Sequence, residues 1–309
     1  MNLDTIEIQC LSAISVEEES WLWHYRYGHL NFKSLNQLNS KQMVSGLPQI
    51  QQPAKICECC VIGKQPRKVF KTSAPKRAKK VLEVVHSDVC GPLDTPSLGG
   101  NRYFLTFVDE FSRKIWVYLL KEKGDVFSVF EKFCARVERQ AEKSLKIFRT
   151  DGGGEYKSKD FSKFCEGKGI VHEVTAPYTP QHNGLAERRN RMLVDMARCM
   201  LKGKNLPHSY WGEAVTTVAY ILNRCPAKRL KTVTPEEAWS GAKPHVQHLK
   251  IFGSICHRHI PDERRKKLDD KSEPLILIGY HPTGAYKLYD PEKNLVVISR
   301  DVVVYEAAS

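Results

Sequence analysis

The sequence predicts a central domain of the mixed α/β class, with one sheet covered by helices. Three runs typical of β-strands follow one another between residues 81 and 120, and the links between them are short enough for antiparallel neighbours. Helical patterns then alternate with two further strand-like runs as far as residue 175. Three antiparallel strands followed by alternating helices and strands build a mixed five-stranded sheet.

The five strand-like runs are rich in apolar residues and cover residues 81–88, 102–109, 114–120, 145–150 and 170–175. Between the third and fourth runs, apolar residues recur about every 3.6 positions, as on one face of a helix, at Val126, Phe127, Val129, Phe130, Phe133 and Val137. Further helices are expected over 160–168, from Glu187 onward and over 207–222. We place the central domain at residues 81–225 and a connector at 226–249.

Three acidic residues occupy positions in this domain where a strand ends or a helix begins. Asp88 ends the first strand-like run, Asp151 ends the fourth, and Glu187 opens a helix after a turn-rich loop, with 35 residues between Asp151 and Glu187. Two divalent cations about 3.5–4 Å apart can clamp an in-line displacement at a phosphodiester, and Mg²⁺ prefers oxygen ligands. The pattern therefore favours a metal-dependent phosphoryl-transfer site, with ordinary surface acids as the alternative.

The helix that begins near Glu187 has two contrasting faces when its residues are plotted at 100° intervals. One face is predicted to enter the core and carries Met192, Leu193, Met196, Ala197, Met200 and Leu201. The other face carries Glu187, Asn190, Arg191, Val194 and Arg198. We therefore regard Arg188, Arg191 and Arg198 as candidate phosphate contacts. A solvated face with an acid–base pair four residues apart is the alternative.

Two histidines and two cysteines near the N-terminus have the spacing of a metal site. His24 and His29 form a His-x4-His pair, and Cys57 and Cys60 a Cys-x2-Cys pair. Four such ligands suit a closed tetrahedral Zn²⁺ site with no open coordination position. We expect residues 21–70 to be a small module that one structural zinc ion helps to fold. Cys59 is an extra thiol that could replace Cys60, and a partly buried helix face with incidental cysteines is the alternative.

Residues 250–309 change character and predict a small β-barrel. Four strand-like runs, separated by Gly, Pro and Asp turns, cover 251–257, 274–280, 285–290 and 295–305. A basic loop at 264–267 suits either DNA contact or a nuclear import signal, and its four charges do not choose between them. At the other end of the chain, residues 1–20 have little apolar periodicity and are expected to be a leader or linker.

The charge balance points to a polyanionic partner. The chain has 48 Lys and Arg against 35 Asp and Glu, a net charge of +13. No apolar run approaches the length of a membrane span, and the N-terminus lacks the regions of a secretory signal. The 10 cysteines are more typical of reduced thiols and metal ligands than of a disulfide framework. We therefore expect a soluble intracellular protein with no membrane association.

The stretch 64–80 is basic throughout and contains no acidic residue. Lysines and arginines in such a stretch can follow DNA phosphates, which gives binding that is salt-sensitive and independent of sequence. An ordinary solvated linker is the alternative. We place a basic linker at 71–80, and the candidate DNA contacts of the whole stretch are Lys64, Arg67, Lys68, Lys79 and Lys80.

The acidic triplet, the His and Cys pattern and the following Val61-Ile62-Gly63-Lys64 resemble the integrase region of copia-type retrotransposon Pol polyproteins of plants. The resemblance extends over nearly the whole chain. It implies a ribonuclease H-like fold for 81–225, a pre-integrase zinc module for 21–70 and a C-terminal barrel for 250–309. Two places depart from the family pattern. Gly152 follows Asp151 where Asn is usual, and the barrel motif ends in Gly284-Ala285-Tyr286, where a Lys or a second Gly is common.

The resemblance implies that Asp88 bridges two Mg²⁺ (or Mn²⁺) ions, with Asp151 helping to hold one and Glu187 the other. The implied activity is strand transfer that inserts element DNA into a target genome. Double-stranded DNA, a homo-oligomeric assembly and passage from a cytoplasmic particle to the nucleus are implied with it. Protease and reverse transcriptase motifs are absent, so we expect the integrase portion alone. A metal-dependent nuclease of the same fold and a non-catalytic relic that binds DNA remain alternatives.

Overall fold

The computed structural model describes residues 15–64, 78–174 and 184–307. Within these ranges the helices are Val16–Arg26 (α1), Phe32–Ser40 (α2), Glu58–Gly63 (α3), Val126–Ala141 (α4), Lys159–Lys168 (α5), Gly184–Gly203 (α6), Trp211–Leu222 (α7) and Pro235–Ser240 (α8). The strands are Val84–Cys90 (β1), Tyr103–Asp109 (β2), Ile115–Leu120 (β3), Ile147–Thr150 (β4), Val171–Val174 (β5), Ile255–His259 (β6), Ser272–Tyr280 (β7), Tyr286–Asp290 (β8), Leu295–Ser299 (β9) and Val302–Tyr305 (β10). None of these helices is long and apolar enough to cross a membrane.

The first sheet has five strands in the order β3-β2-β1-β4-β5. β1 pairs antiparallel with β2 and parallel with β4, so the prediction of a mixed sheet is confirmed. The two faces of β2 enter different cores. Phe107 packs with Phe130 and Phe133 of α4, whereas Phe104 packs with Trp211 of α7 and shares a core with α6. Helices therefore cover both faces of the sheet, and the layer of α6 and α7 carries Glu187.

The second sheet is antiparallel throughout, in the order β10-β6-β7-β8-β9. The run 295–305, expected as one strand, divides after Ser299 because its halves pair with different neighbours, β9 with β8 and β10 with β6. One side of the sheet packs on itself through Cys256, Leu275, Leu277 and Leu288. Ile278 of β7 instead packs against α7, so the second sheet is attached to the helical layer of the first.

α1 begins inside the segment expected to be a leader. Ser15 Oγ accepts a hydrogen bond from the Glu18 amide at 3.2 Å, and Glu18 Oε2 accepts one from the Ser15 amide at 2.9 Å. This reciprocal cap fixes the first turn. The negative charges of three glutamates in that turn interact favourably with the positive amino end of the helix dipole. The leader expectation is therefore wrong for residues 16–20, and for residues 1–14 it lies outside the described residues.

The N-terminal module, residues 15–64, shares a core with the rest of the protein. Tyr27 and Leu35 of this module, Met200 of α6, Val218 of α7 and Ile278 of β7 belong to one cluster of buried apolar side chains. A module this small buries little apolar surface by itself. Its stability and the position of α6 therefore depend on the same contacts.

Candidate active site and metal centre

Asp88 and Asp151 lie side by side at the carboxyl ends of neighbouring parallel strands. The β1–β4 pairing sets Val84 opposite Ile147 and His86 opposite Arg149. The same register, continued two residues further, sets Asp88 opposite Asp151. Asp151 is the first residue after β4 and is exposed, which leaves its carboxylate free to face solvent.

Glu187 completes the group from a different layer. It lies in the first turn of α6 and is exposed, and α6 packs across β1 and β2. We call Asp88, Asp151 and Glu187 the carboxylate site. The structure thus brings two strand ends and the start of a helix, all separated along the chain, close enough for the charges of Asp151 and Glu187 to act on Asp88; the catalytic role of the three residues stays a prediction.

The electrostatics of the carboxylate site favour a bound cation. Burial, together with the charges of Asp151 and Glu187, raises the pKa of Asp88 to about 7, against the opposing effect of hydrogen bonds from Asn190 and Val89. Like charges that share a site disfavour each other's ionised form. A divalent cation relieves that repulsion, and Mg²⁺ takes oxygen ligands of this kind. The donor set therefore fits Mg²⁺ or Mn²⁺.

Asn190 is a site residue to which the helical pattern gave no role. The pattern placed it on the face of Glu187, opposite the predicted core stripe; it is buried, whereas Met192, expected in the core, is 41% exposed. Asn190 Nδ2 donates to Asp88 Oδ2 at 2.9 Å, and Asn190 Oδ1 accepts from Thr106 Oγ1 at 2.7 Å. Its position one turn after Glu187 is the signal that could have found it, since residues three apart share a helix face.

The loop after Asp151 explains one departure from the family pattern. Gly152 has φ +76°, and a Cβ there would lie 2.3 Å from Val174 Cγ1. The usual Asn would therefore require Val174 to move. Asp151 Oδ1 accepts a hydrogen bond from the Gly153 amide at 3.0 Å, which closes the turn around the carboxylate. In this chain the glycine and the valine fit each other.

His24, His29, Cys57 and Cys60 form a second group, which we call the His–Cys cluster. Their potential ligand atoms all lie within 4.8 Å of one another. His24 Nε2 is 3.6 Å from Cys60 Sγ, and His29 Nδ1 is 3.3 Å from Cys57 Sγ. A tetrahedral Zn²⁺ ion with ordinary Zn–S and Zn–N bonds separates such atoms by about 3.6 Å. The cluster therefore fits zinc, and it contains Cys60 rather than Cys59.

Local backbone geometry and a hydrogen bond orient the two histidines of the His–Cys cluster toward a common point. Gly28 and His29 have φ of +56° and +62°, so the chain reverses after α1 and returns His29 beside His24. His24 Nδ1 donates to the Leu30 carbonyl at 2.7 Å, which leaves Nε2 to face the cluster. Burial, with the nearby charges of His24 and Lys64, lowers the pKa of His29 to about 3. The His29 ring is therefore neutral, as a metal ligand must be.

The candidate DNA contacts do not form one surface. Arg188 and Arg191 are exposed on the first turns of α6, beside Glu187. Lys79 and Lys80 are exposed before the start of β1, at the end of the sheet opposite Asp88. Arg67 and Lys68 lie outside the described residues, as do Lys71, Lys76 and Arg77.

Lys64 and Arg198 make contacts within the protein. Lys64 Nζ donates to the His29 carbonyl at 2.5 Å. Arg198 Nη1 donates to the Gly63 carbonyl at 3.0 Å and to Asp195 Oδ1 at 2.9 Å. Lys64 therefore stabilises the N-terminal module internally, and Arg198 links α6 to that module. Their contact with phosphate stays a prediction.

Three family models match successive parts of the chain. A GAG-pre-integrase domain matches residues 2–65, an integrase core domain matches 78–180, and a retroviral polymerase SH3-like domain matches 254–309. The first match includes the whole His–Cys cluster, and the second includes Asp88 and Asp151.

The chain is similar to polyproteins of plant transposons. It is 48% identical over 298 residues to the retrovirus-related Pol polyprotein from transposon TNT 1-94 of Nicotiana tabacum, an alignment that covers 96% of this chain and 22% of that protein. It is 33% identical over 264 residues to the corresponding polyprotein from transposon RE2 of Arabidopsis thaliana, covering 84% of this chain and 18% of that protein. The chain thus spans about a fifth of the length of these relatives.

Among solved structures, a chain of the simian T-cell lymphotropic virus intasome in complex with PP2A regulatory subunit B56 gamma is similar to this one. The match covers 79% of this chain and 85% of that chain, at 17% identity and a TM-score of 0.46.

Replacing Asn190 by Ala removes the amide that holds Asp88 Oδ2. Groups that orient a metal ligand contribute about 10–100-fold to metal affinity, so we expect Mn²⁺ to bind Asn190→Ala about 10-fold more weakly. Calorimetric titration with Mn²⁺ measures the difference. Met192→Ala, on the exposed side of the same helix, is the matched control and should bind Mn²⁺ like the unchanged chain. Equal affinity in the two variants would contradict the role of Asn190.

Cys60→Ser should abolish zinc binding, whereas Cys59→Ser should keep one zinc ion per chain, because Cys60 belongs to the cluster. Metal analysis of the purified chains measures this. Since the module shares its core with α6 and α7, we also expect zinc loss to speed amide exchange in α1–α3 and to lower the melting temperature. Zinc retained by Cys60→Ser and lost by Cys59→Ser would assign the ligand to Cys59 instead.

Proposed function

This chain belongs to the copia-type retrotransposon Pol polyproteins of plants and contains their integrase core domain, and we propose that it inserts element DNA into a target genome by metal-dependent strand transfer. Integrase core domains are polynucleotidyl transferases. In strand transfer, a terminal hydroxyl of one DNA strand attacks a phosphodiester of another. The observation that carries the proposal is the convergence of Asp88, Asp151 and Glu187, in which burial and the two neighbouring charges raise the pKa of Asp88 to about 7.

Each residue of the carboxylate site has a role in this proposal. Asp88, whose carboxyl group is influenced by the charges of both other residues, would hold the divalent ions together with Asp151 and Glu187. The chemistry that the ions supply is activation of the attacking oxygen and stabilisation of the leaving oxygen. Asn190 orients the Asp88 carboxylate through its 2.9 Å hydrogen bond. No side-chain nucleophile is required, because the attacking group belongs to the DNA.

The His–Cys cluster is proposed to hold one structural Zn²⁺ ion. Four protein ligands fill a tetrahedral shell and leave no position for a substrate, which is typical of structural sites. The free energy of metal binding then contributes to the folding of the N-terminal module. This role agrees with the position of the cluster, beside α6 and away from the carboxyl ends of β1 and β4.

Double-stranded DNA, both element ends and target, is the proposed partner. The net charge of +13 supports a polyanionic ligand, and Arg188 and Arg191 are exposed beside Glu187. Lys79 and Lys80 lie at the far end of the sheet, so the phosphates that they contact belong to a more distant part of the DNA. A homo-oligomer that acts in the nucleus, after passage through a cytoplasmic particle, belongs to the same proposal, because integration joins two element ends to a genome.

A metal-dependent nuclease of the same fold is the second candidate, since the same three carboxylates are sufficient for hydrolysis. The shared core of the N-terminal module, α6 and β7 favours the integrase. Hydrolysis alone does not require additional modules attached to the catalytic layer. Joining a DNA end to a target requires surfaces that hold both.

The deciding experiment incubates the purified chain with Mg²⁺ or Mn²⁺, a labelled element-end duplex and a plasmid. We expect joined product from the unchanged chain and from Asp160→Asn, an exposed acid on α5 that serves as control. We expect a loss of at least about 1,000-fold from Asp88→Asn, Asp151→Asn or Glu187→Gln, because each removes a metal-binding charge that supplies several kcal/mol in the transition state. Circular dichroism should show an unchanged fold. Cleavage without joining would identify a nuclease, and DNA binding without either reaction would identify a non-catalytic protein.

The double variant Arg188→Ala/Arg191→Ala should weaken DNA binding about equally for all duplex sequences. The slope of log K against log salt concentration should fall by roughly two units, one for each lost phosphate contact. Lys132→Ala/Arg139→Ala removes the same charge from exposed positions on α4, across the sheet from α6, and is the matched control. An unchanged slope in the first variant would show that the two arginines are only a solvated surface.

A further inference from the structure

α6 contacts both candidate metal sites. It is one continuous helix of 20 residues, about 30 Å long at 1.5 Å per residue. Its first turns serve the carboxylate site, where Glu187 lies and Asn190 donates to Asp88. Its last turns lie against the N-terminal module through Arg198 and Cys199. A displacement at one end of this helix therefore reaches the other.

The contact between α3 and α6 leaves no room for a side chain. A Cβ on Gly63 would lie 2.5 Å from Cys199 Sγ. The Gly63 carbonyl accepts from Arg198 Nη1 at 3.0 Å, and the Cys59 carbonyl accepts from the Cys199 thiol at 3.2 Å. Cys60 lies between these two carbonyls in the sequence. One ligand of the His–Cys cluster is thus fixed to α6 through its own backbone neighbours.

The turn that carries His29 is equally close to α6. A Cβ on Gly28 would lie 2.5 Å from Met200 Cε and 3.2 Å from Met196 Cε. His29 Nε2 would lie 3.4 Å from a Cβ on Gly203, the last residue of the helix. A second ligand of the cluster therefore also lies beside α6, with His29 next to Gly203 and Gly28 against the Met200 and Met196 side chains. A metal ion bound by all four ligands would connect the turn after α1 to α3. The two segments that contact α6 would then be held rigidly relative to each other.

We propose that the N-terminal module is a positioning element for the carboxylate site, and that Gly63 and Cys199 are its positioning residues. With zinc bound, the contacts of Gly63 and Gly28 fix the position and orientation of α6. The helix in turn places Glu187 and Asn190 relative to Asp88. Cys199 acts over about 18 Å, the rise of the twelve helical steps from Glu187 to Cys199. The inference rests on the proposed function for the identity of the metal-binding carboxylates.

The coupling is local in origin. Without zinc, the four ligands no longer hold the turn after α1 and the helix α3 together, so α6 loses its support at its carboxyl end. Near its amino end, α6 is held to the sheet through Asn190. Motion of the carboxyl end of α6 therefore displaces Glu187 from its position relative to Asp88. Divalent cations then bind the carboxylate site more weakly, because the ligands are less well placed. Couplings between sites commonly amount to about 5–150-fold in affinity.

The test uses a substitution that disturbs the contact while keeping all four zinc ligands. Gly63→Ala puts a Cβ against Cys199 Sγ, and Gly63→Ala/Cys199→Ala removes the sulfur and restores the space. Gly167→Ala on α5, where a Cβ would meet nothing within 4 Å, is the matched control. For each chain, zinc is counted by metal analysis and Mn²⁺ affinity is measured by titration. The unchanged chain is also titrated after a zinc-selective chelator has been added and removed.

We expect Gly63→Ala to keep its zinc and to bind Mn²⁺ roughly 10-fold more weakly, and the double variant to recover most of the loss. The zinc-free chain should show a loss of similar size, with faster amide exchange in α6. Unchanged Mn²⁺ affinity in Gly63→Ala and in the zinc-free chain would overturn the proposal. If removing zinc unfolds the chain, the comparison of Gly63→Ala with the double variant decides. If Gly63→Ala releases its zinc, the zinc-free chain decides.

The two proposals fail in different ways. A chain whose Mn²⁺ affinity depends on Gly63 and on zinc, but which joins no DNA, keeps the coupling and contradicts the integrase activity. A chain that joins DNA with the same Mn²⁺ affinity in the presence and absence of zinc keeps the integrase and contradicts the coupling.

Discussion

The packing of α6 is the interaction on which the rest of the structure depends. This helix covers one face of the mixed sheet, supplies Met196 and Met200 to the core shared with the N-terminal module, and lies beside α7, which supports the second sheet. It also carries Glu187 and Asn190 to the carboxyl ends of β1 and β4. A single helix therefore joins three modules that the sequence describes as successive and separate.

The carboxylate site concentrates negative charge that a bound cation would neutralise. Parallel pairing of β1 and β4 sets Asp88 beside Asp151, and burial together with the charges of Asp151 and Glu187 raises the pKa of Asp88. Repulsion of this kind destabilises the metal-free protein, and the fold tolerates it because Asp151 and Glu187 reach solvent. Asn190, held by Thr106, donates to Asp88 and limits the effect. The fold thus keeps the charges close together without neutralising them.

Close backbone approach is a recurring device in this protein. Gly152 allows the loop after Asp151 to lie on Val174, and Gly63 allows α3 to lie on Cys199. In each case, the glycine and the side chain that it faces form a matched pair, so the identity of one constrains the other. The departure from the usual Asn after Asp151 therefore reads as a local adjustment of this chain rather than as damage to its metal site.

The sequence by itself determined the elements and the chemistry of both candidate sites. Strand-like runs, the spacing of Asp88, Asp151 and Glu187, and the His-x4-His and Cys-x2-Cys pairs are local patterns, and local patterns can be read without knowing what packs where. The reciprocal cap of Ser15 and Glu18 was equally local. It was overlooked because the glutamates that follow it suggested a leader.

Only the tertiary structure decided which residues meet. Asn190 shares a helical face with the buried residues Ala186, Leu193 and Ala197, whereas Met192 lies outside that face. The 3.6-residue period can identify this face, but only the packing of α6 on the sheet shows that the amide of Asn190 meets Asp88. For the same reason Arg198, which shares a sequence pattern with Arg191, donates to the Gly63 carbonyl instead of facing solvent alone. Contacts between distant parts of the chain are set by how whole elements pack, and this is information that no local pattern contains.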